Sequence, residues 1–302
     1  MDLKEQRYVV VLAECESITK AAAQLNISQP ALSIYIGNLE NLLGVKLFNR
    51  IGKRFVLTYA GELYVENAKQ ILLLGNNFDA KLSEITRGYK GRLRIGVPIR
   101  RSPYIIPKLL TRFNEYYPNI EVVIHEGNTA NLEDLLLKNE LDLLLCNRTT
   151  NKSDMEYISI YDDKLLLAVS SVHPLSNSGM ELEGYKYPWI NLKKFNDDLF
   201  ILQHSGQSIR FFVDKMLEEV NIKPKKTIKI RNIETSTQLA AIGYGVSFIL
   251  ESYAKHFHYE NPPIFFMVGD QKTTVDFVVA YKKGIYLPSY TMKFIDILKE
   301  IM

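Results

Sequence analysis

The chain has 302 residues, 47% of them hydrophobic, and carries 37 Lys and Arg against 34 Asp and Glu for a net charge of +3. That length makes two or three domains with ample buried core, and so small a charge excess excludes a global basic field, leaving any basicity local. Two distant cysteines, Cys15 and Cys146, exclude a disulfide framework. The opening Met1-Asp2-Leu3-Lys4-Glu5 has no apolar signal core, and no apolar run reaches the roughly 18 residues of a membrane span, so a cytoplasmic protein without membrane contact is expected.

Residues 17–33 begin with an alanine-rich run, Ser17-Ile18-Thr19-Lys20-Ala21-Ala22-Ala23-Gln24-Leu25, pause at Asn26-Ile27 and restart behind Ser28. Ser28 is placed to cap a second helix, and Pro30 falls in its first turn, where the missing N–H costs nothing. Two short helices crossing steeply are predicted. Ala22 and Ala23 would allow their close approach, while Leu25, Ile27, Leu32, Ile36 and Leu39 close a small core. A helix-turn-helix lays its second helix in the major groove of double-stranded DNA. Bases are expected to be read from Gln29, Pro30 and Ser33, because Gln pairs bidentately with adenine and Pro or Ala meets a thymine methyl. Ser17, Thr19, Ser28, Ile34 and Tyr35 complete the candidate DNA-binding residues of this segment.

Asn49–Thr58 alternates around Gly52 and reads as a β-hairpin. Between Asn41 and Gly61 stand Lys46, Arg50, Lys53 and Arg54, with no acidic residue. As a wing, the hairpin would set Arg50, Lys53, Arg54 and Thr58 against phosphates or the minor groove, giving affinity and register rather than sequence information. An ordinary solvated hairpin would carry the same charges. Residues 59–87 contain no proline, and Tyr64, Ala68, Ile71, Gly75, Phe78, Leu82 and Ile85 recur at spacings of four and three, a coiled-coil-like seam. The seam could dock on its own domain. A long helix between globular parts is better served by antiparallel pairing with its copy, and the homodimer then offers two recognition helices to two half-sites. Residues 88–91 follow as a hinge.

From Arg92 the pattern becomes α/β. Leu93–Val97, Ile120–His125, Leu141–Cys146, Leu165–Ser170 and Leu199–Gln203 are strand-length apolar runs, and 103–117, 129–139, 207–221 and 233–243 are helical in pattern. Ligands of such sheets sit at the carboxyl ends of strands near helix N-termini. Those positions supply Ile99, Arg100, Ser102, Asn128, Thr129, Asn147, His204, Ser205 and Gly206, a set suited to a small anionic effector. Ser102 and Thr129 taken singly are equally well read as helix caps. His256 and His258 lack a third metal ligand, Cys146 reads as a buried, inert thiol, and no catalytic set can be defended, so no enzyme and no cofactor are expected.

Taken together, Ala21-Ala22-Ala23, Ser28-Gln29-Pro30-Ala31-Leu32-Ser33, Leu39-Glu40, Leu43-Gly44-Val45, Leu47-Phe48-Asn49-Arg50 and Leu57-Thr58-Tyr59-Ala60-Gly61 resemble the LysR-type transcriptional regulators. Later landmarks are similar too: Gly96, Pro107, Phe113, Tyr117-Pro118, Leu141-Asp142-Leu143, His173-Pro174-Leu175 and Gly243-Tyr244-Gly245-Val246. The resemblance implies an α/β protein with an all-α-plus-wing N-terminal domain. In detail it implies a winged helix-turn-helix (1–58), a linker helix (59–87), a hinge (88–91) and a two-lobed, periplasmic-binding-protein-like effector domain (92–302). Lobe I would be 92–163 with 266–302, and lobe II 164–265. It also implies a homodimer within a homotetramer, a small-molecule effector, and contact with RNA polymerase if the protein activates. Where the family commonly has Arg-Gln after the serine, this chain has Ile34-Tyr35, so a phosphate or guanine contact is lost unless Tyr35 replaces it.

Overall fold

A computed structural model describes residues 3–52, 54–85, 91–269 and 274–302. The chain divides into two compact units, Met1–Gly88 and Tyr89–Met302.

In the first unit, α1 (Lys4–Cys15), α2 (Ile18–Gln24) and α3 (Gln29–Leu43) precede an antiparallel hairpin, β1 (Phe48–Ile51) with β2 (Arg54–Leu57), and then α4 (Tyr59–Ile85). The Ser17 and Ser28 hydroxyls accept from the Lys20 and Ala31 amides at the starts of α2 and α3. Between those helices Asn26 takes a left-handed turn, φ 55°, which Asn tolerates. The close approach falls one residue earlier than expected, since Ala21 and Ala22 are buried and Ala23 is exposed. Ile18, Ala21, Ala22 and Leu25 share one face at spacings of three and four, and Ala23 lies off it. Leu32, Ile36 and Leu39 complete this core with Val9, Leu12, Leu47 and Ala68.

The second unit runs β3 (Gly91–Pro98), α5 (Ser102–Tyr116), β4 (Ile120–Gly127), α6 (Thr129–Leu137), β5 (Leu143–Asn147) and β6 (Met155–Val169). After a short 3-10 turn come β7 (Leu199–Leu202), α7 (Ser208–Glu219), β8 (Lys226–Lys229), α8 (Ile233–Ala241) and β9 (Val246–Leu250). It closes with α9 (Glu251–Ala254), β10 (Ile264–Met267), β11 (Thr274–Lys282) and α10 (Ser289–Ile301). The strands form a sheet of order β4-β3-β5-β11-β6-β9-β7-β8, with β10 also on β6.

β6 is the shared spine of two lobes. Met155–Lys164 pair with β11, whereas Leu165–Ala168 pair with β9 and Leu166–Val169 with β10. Only its apolar end, Leu165 onward, was legible as a strand, because the earlier part alternates in burial and carries Glu156, Ser159, Asp162 and Asp163. Phe266 and Met267 still pair with Leu167 and Leu166, so the chain leaves the second lobe after Met267 rather than at 265/266. Each lobe has its own core, one around Phe113, Phe277 and Phe294, the other around Phe195, Phe200, Phe248 and Phe266. Two landmarks have plain structural causes. Asp142 accepts from the Arg94 amide at 2.7 Å and pairs with its guanidinium, tying β5 to β3, and a Cβ on Gly245 would stand 2.3 Å from the Leu199 carbonyl oxygen. Among the described residues, no helix is long and apolar enough to cross a membrane.

Candidate functional site

Helix α3 turns Leu32, Ile36 and Leu39 inward, and this fixes what it shows to solvent: Gln29, Pro30, Ala31, Ser33, Ile34 and Asn38 are all exposed. Ile34 is 64% exposed, an apolar group suited to a thymine methyl. Tyr35 is half-buried with its ring edge-on to Tyr8, centroids 4.9 Å apart, because position 35 falls on the side of α3 that faces α1. Ser17 and Ser28 are engaged in capping, and Thr19 is exposed on α2.

The hairpin cations are held to different degrees. Arg54 is paired with Glu16 at the end of α1, its Nε donating to Oε2 at 2.9 Å, and so is partly neutralised. Arg50 curls over the turn, its Nε donating to the Gly52 carbonyl at 3.3 Å. Lys53 lies outside the described residues. Thr58 serves the scaffold: its hydroxyl donates to the Lys46 carbonyl at 2.6 Å and accepts from the Gly61 amide at 3.0 Å. A Cβ on Gly61 would meet the Leu47 carbonyl oxygen at 2.0 Å, so only glycine lets α4 leave the hairpin so closely.

Sequence reasoning missed the role of Glu40. Its buried carboxylate accepts from the Leu47 and Phe48 amides at 2.9 and 3.1 Å and from Lys46 Nζ at 2.8 Å. It pins the base of the hairpin to α3. On α4 the seam splits. Tyr64 and Ala68 pack in the domain core, Tyr64 also donating to Glu5 at 2.8 Å. Ile71, Phe78 and Leu82, with Leu63 and Leu74, stay exposed. The Ile85 side chain and residues 88–90 lie outside the described residues.

In the second unit, a cleft of about 690 Å³ is lined by Ile99, Arg100, Asn128, Thr129, Asn147, His204, Ser205 and Gly206. Ser102 is not among its walls; it is buried as the first residue of α5, because the chain turns inward at Arg101. Gln207 and Ser208, at the end of the same expected loop, join the lining, and so do Arg231, Asn232 and Tyr253, which were not expected. Arg231 and Asn232 come from the short loop before α8, a signal that this polar stretch did carry, whereas Tyr253 lies within α9. The N-termini of α6, α7 and α8 open into this space, two of them capped by Asn128 and Asn232. Arg100 reaches Glu234 at 3.4 Å, and Asn147 Nδ2 reaches Ser208 Oγ at 3.4 Å, so both lobes meet across the cleft. No carboxylate is among the lining residues.

Behind the cleft lies a buried ion pair. Arg101 Nη2 donates to Asp163 Oδ2 at 3.2 Å and to Asn147 Oδ1 at 3.0 Å, and Asp163 also accepts from the Ser252 amide and hydroxyl. The remaining motifs are structural. His173 pairs with Asp198 and accepts from the Leu175 amide, while His256 and His258 lie in a loop after α9, not on a strand. No group of three metal-ligating side chains occurs among the described residues. Burial pushes the Cys146 thiol up to about 12.

A bare recognition helix, carried in one chain with a two-lobed α/β receptor, defines a ligand-responsive transcriptional regulator. Residues 3–62 match the family described as bacterial regulatory helix-turn-helix protein, lysR family, and residues 86–302 match the LysR substrate binding domain; the chain belongs to the LysR family of regulators. It is 28% identical over 289 residues to the HTH-type transcriptional regulator XapR of Escherichia coli K12, covering 95% of this chain and 94% of XapR. A full-length OxyR variant from Pseudomonas aeruginosa shares the fold with a TM-score of 0.69 at 23% identity, over 100% of this chain and 94% of that one. Full-length CbnR complexed with its target DNA gives 0.55 at 20%, over 100% and 99%.

Proposed function

We infer that the protein binds a partly palindromic site in double-stranded DNA as a homodimer within a homotetramer, and that a small anionic metabolite in the cleft modulates it. The observation that carries this reading is the make-up of the cleft. Three helix N-termini, Arg231 and His204 line it with no carboxylate among the lining residues, and Arg100 adds a cation that Glu234 partly offsets; helix N-termini and guanidinium groups both favour anions. On the DNA side, Gln29, Pro30, Ser33 and Ile34 are the base-reading residues and Arg50 and Lys53 the phosphate contacts. The exposed Ile71, Phe78 and Leu82 of α4 are the apolar surface that a second copy would cover. The effector acts by differential affinity for two arrangements of the subunits, and polymerase contact follows if the protein activates.

The test is a thermal-shift screen of the full chain against small carboxylates, amino acids and other anions. A saturable stabilisation by an anion, lost in Arg231→Ala and in Asn147→Ala, is expected. Stabilisation by neutral or cationic metabolites alone would refute the anionic reading. Operator titration against scrambled DNA at near-physiological salt tests the other half, and equal affinity would refute sequence-specific binding.

A further inference from the structure

The outward side of α3 carries no charge. No Lys or Arg occurs between Gln29 and Leu43, and the one acid of the helix, Glu40, is turned inward onto the Leu47 and Phe48 amides and Lys46. In the major groove, guanine is most often read by Arg or Lys at O6 and N7, and cytosine by an acidic acceptor at N4. α3 offers neither. It presents instead a stripe of apolar and amide side chains. Ile34, 64% exposed, has the exposed Pro30 and Asn38 four residues to either side and the exposed Ala31 three before it, so these side chains are neighbours on one helical face. Asn41, also exposed, continues the stripe a further turn on. Apolar groups suit the C5 methyl of thymine, and Asn and Gln pair with adenine N6 and N7.

Gly37 lies on the same side of α3, three residues after Ile34. A glycine inside a helix is destabilising relative to alanine, and is used where something must approach the backbone closely. The fold itself does not call for it. Gly37 is not among the glycines of positive φ, and a Cβ there would meet no other part of the described chain within 4 Å. The bare backbone at this point therefore serves a neighbour from outside the protein.

We propose that α3 reads a half-site core made of A·T pairs, seating thymine methyls on Pro30 and Ile34 and adenine edges on Gln29 and Asn38, with Gly37 as the point where DNA comes closest to the helix. Resting on α3 as the DNA-reading helix, this preference names the bases that the helix accepts. A G·C pair in the core would find no charged partner on α3 for its guanine or its cytosine.

The full chain is used to select duplexes from a random-sequence library, and affinities for the enriched site are then measured by fluorescence anisotropy at fixed salt. A·T pairs are expected in the core of each half-site. Replacing the core thymine that meets Ile34 by 2′-deoxyuridine, which lacks only the methyl, should weaken wild-type binding about four-fold and leave Ile34→Ala unaffected. Gly37→Ala should raise the unfolding midpoint, as alanine favours the helix, yet weaken binding to the same site about ten-fold through overpacking. An enriched core of G·C pairs, or wild-type affinity indifferent to every thymine methyl, would overturn the proposal while leaving sequence-specific binding in place. Gly37→Ala binding as tightly as wild type would overturn the close approach. Failure to enrich any sequence would overturn the proposal together with sequence-specific binding by α3.

Discussion

The exposed face of α3 proposed to read DNA is made from one stretch of chain, Gln29–Asn38, whereas the cleft takes its walls from segments near 98–100, 127–129, 147, 204–209, 231–233 and 250–253. On α3 a single periodicity decides everything: once Leu32, Ile36 and Leu39 face inward, Gln29, Ser33 and Ile34 must face out. The cleft has no such local rule. Its shape depends on how two lobes are tied through β6, Asp163 and Arg101. Changes on the α3 face should therefore alter recognition without stability, while changes at the lobe junction should do the reverse.

The largest effect is expected at that junction. Asp163→Ala strands the buried Arg101 cation and removes the acceptor of the Ser252 amide and hydroxyl. Breaking a buried pair from one side costs about 3–5 kcal/mol, and urea unfolding of the second unit should show a loss of that order. Little change in midpoint would mean the lobes are held by their sheet alone. In the first unit the comparable point is Glu40. Glu40→Ala leaves the Leu47 and Phe48 amides without their acceptor, for a loss of about 2–4 kcal/mol, and should loosen the hairpin enough to weaken DNA binding. Glu40→Gln keeps one acceptor oxygen and should recover part of both losses. Equal losses in the two variants would mean that the Lys46 ion pair, not the amide contacts, carries the effect.

How much of this was legible follows the same division. The helix-turn-helix, the hairpin and α4 announce themselves through short-range signals: serine caps, Pro30, the turn at Gly52, and a seam at spacings of three and four. The strand-end residues of the cleft were legible because α/β sheets gather such ends, and eight of the nine residues expected there line the cavity. Ser102, the first residue of α5, is buried instead, as is Arg101 before it. Three features stayed hidden for a common reason. The Glu40 clamp, the Arg101–Asp163 pair and the Glu16–Arg54 pair join residues that are remote or differently oriented in sequence, and no periodicity encodes which charge meets which. The polar half of β6 was hidden because a strand serving two lobes does not present one apolar face.

A gentler test of the comparison is Gln29→Ala. The side chain is exposed and outside the core, so stability should change by no more than about 0.5 kcal/mol. Discrimination between operator and base-substituted sites should fall by about 1–3 kcal/mol if Gln29 reads a base bidentately. Binding curves on a small set of substituted operators measure this directly. An unchanged preference would move base reading to Ser33 and Ile34, the next exposed turn of α3.

The smallest effects belong to the hairpin, and they separate two cations that composition alone makes equivalent. Among the described residues Arg50 has only the Gly52 carbonyl as a partner, while Arg54 is already paired with Glu16. A cation that meets a phosphate releases counterions, so Arg50→Ala should lower the slope of log K against log salt by about one, evenly across sequences. Arg54→Ala should lower it less, because Glu16 offsets part of that charge in the free protein. The decisive variant is therefore Glu16→Gln. Freeing Arg54 should steepen the salt slope and tighten non-specific binding, with a stability cost of no more than about 1 kcal/mol for an exposed pair. An unchanged slope would show that Arg54 is turned away from DNA and that its ion pair serves only to fasten the hairpin to α1, leaving Arg50 as the phosphate contact among the described hairpin arginines.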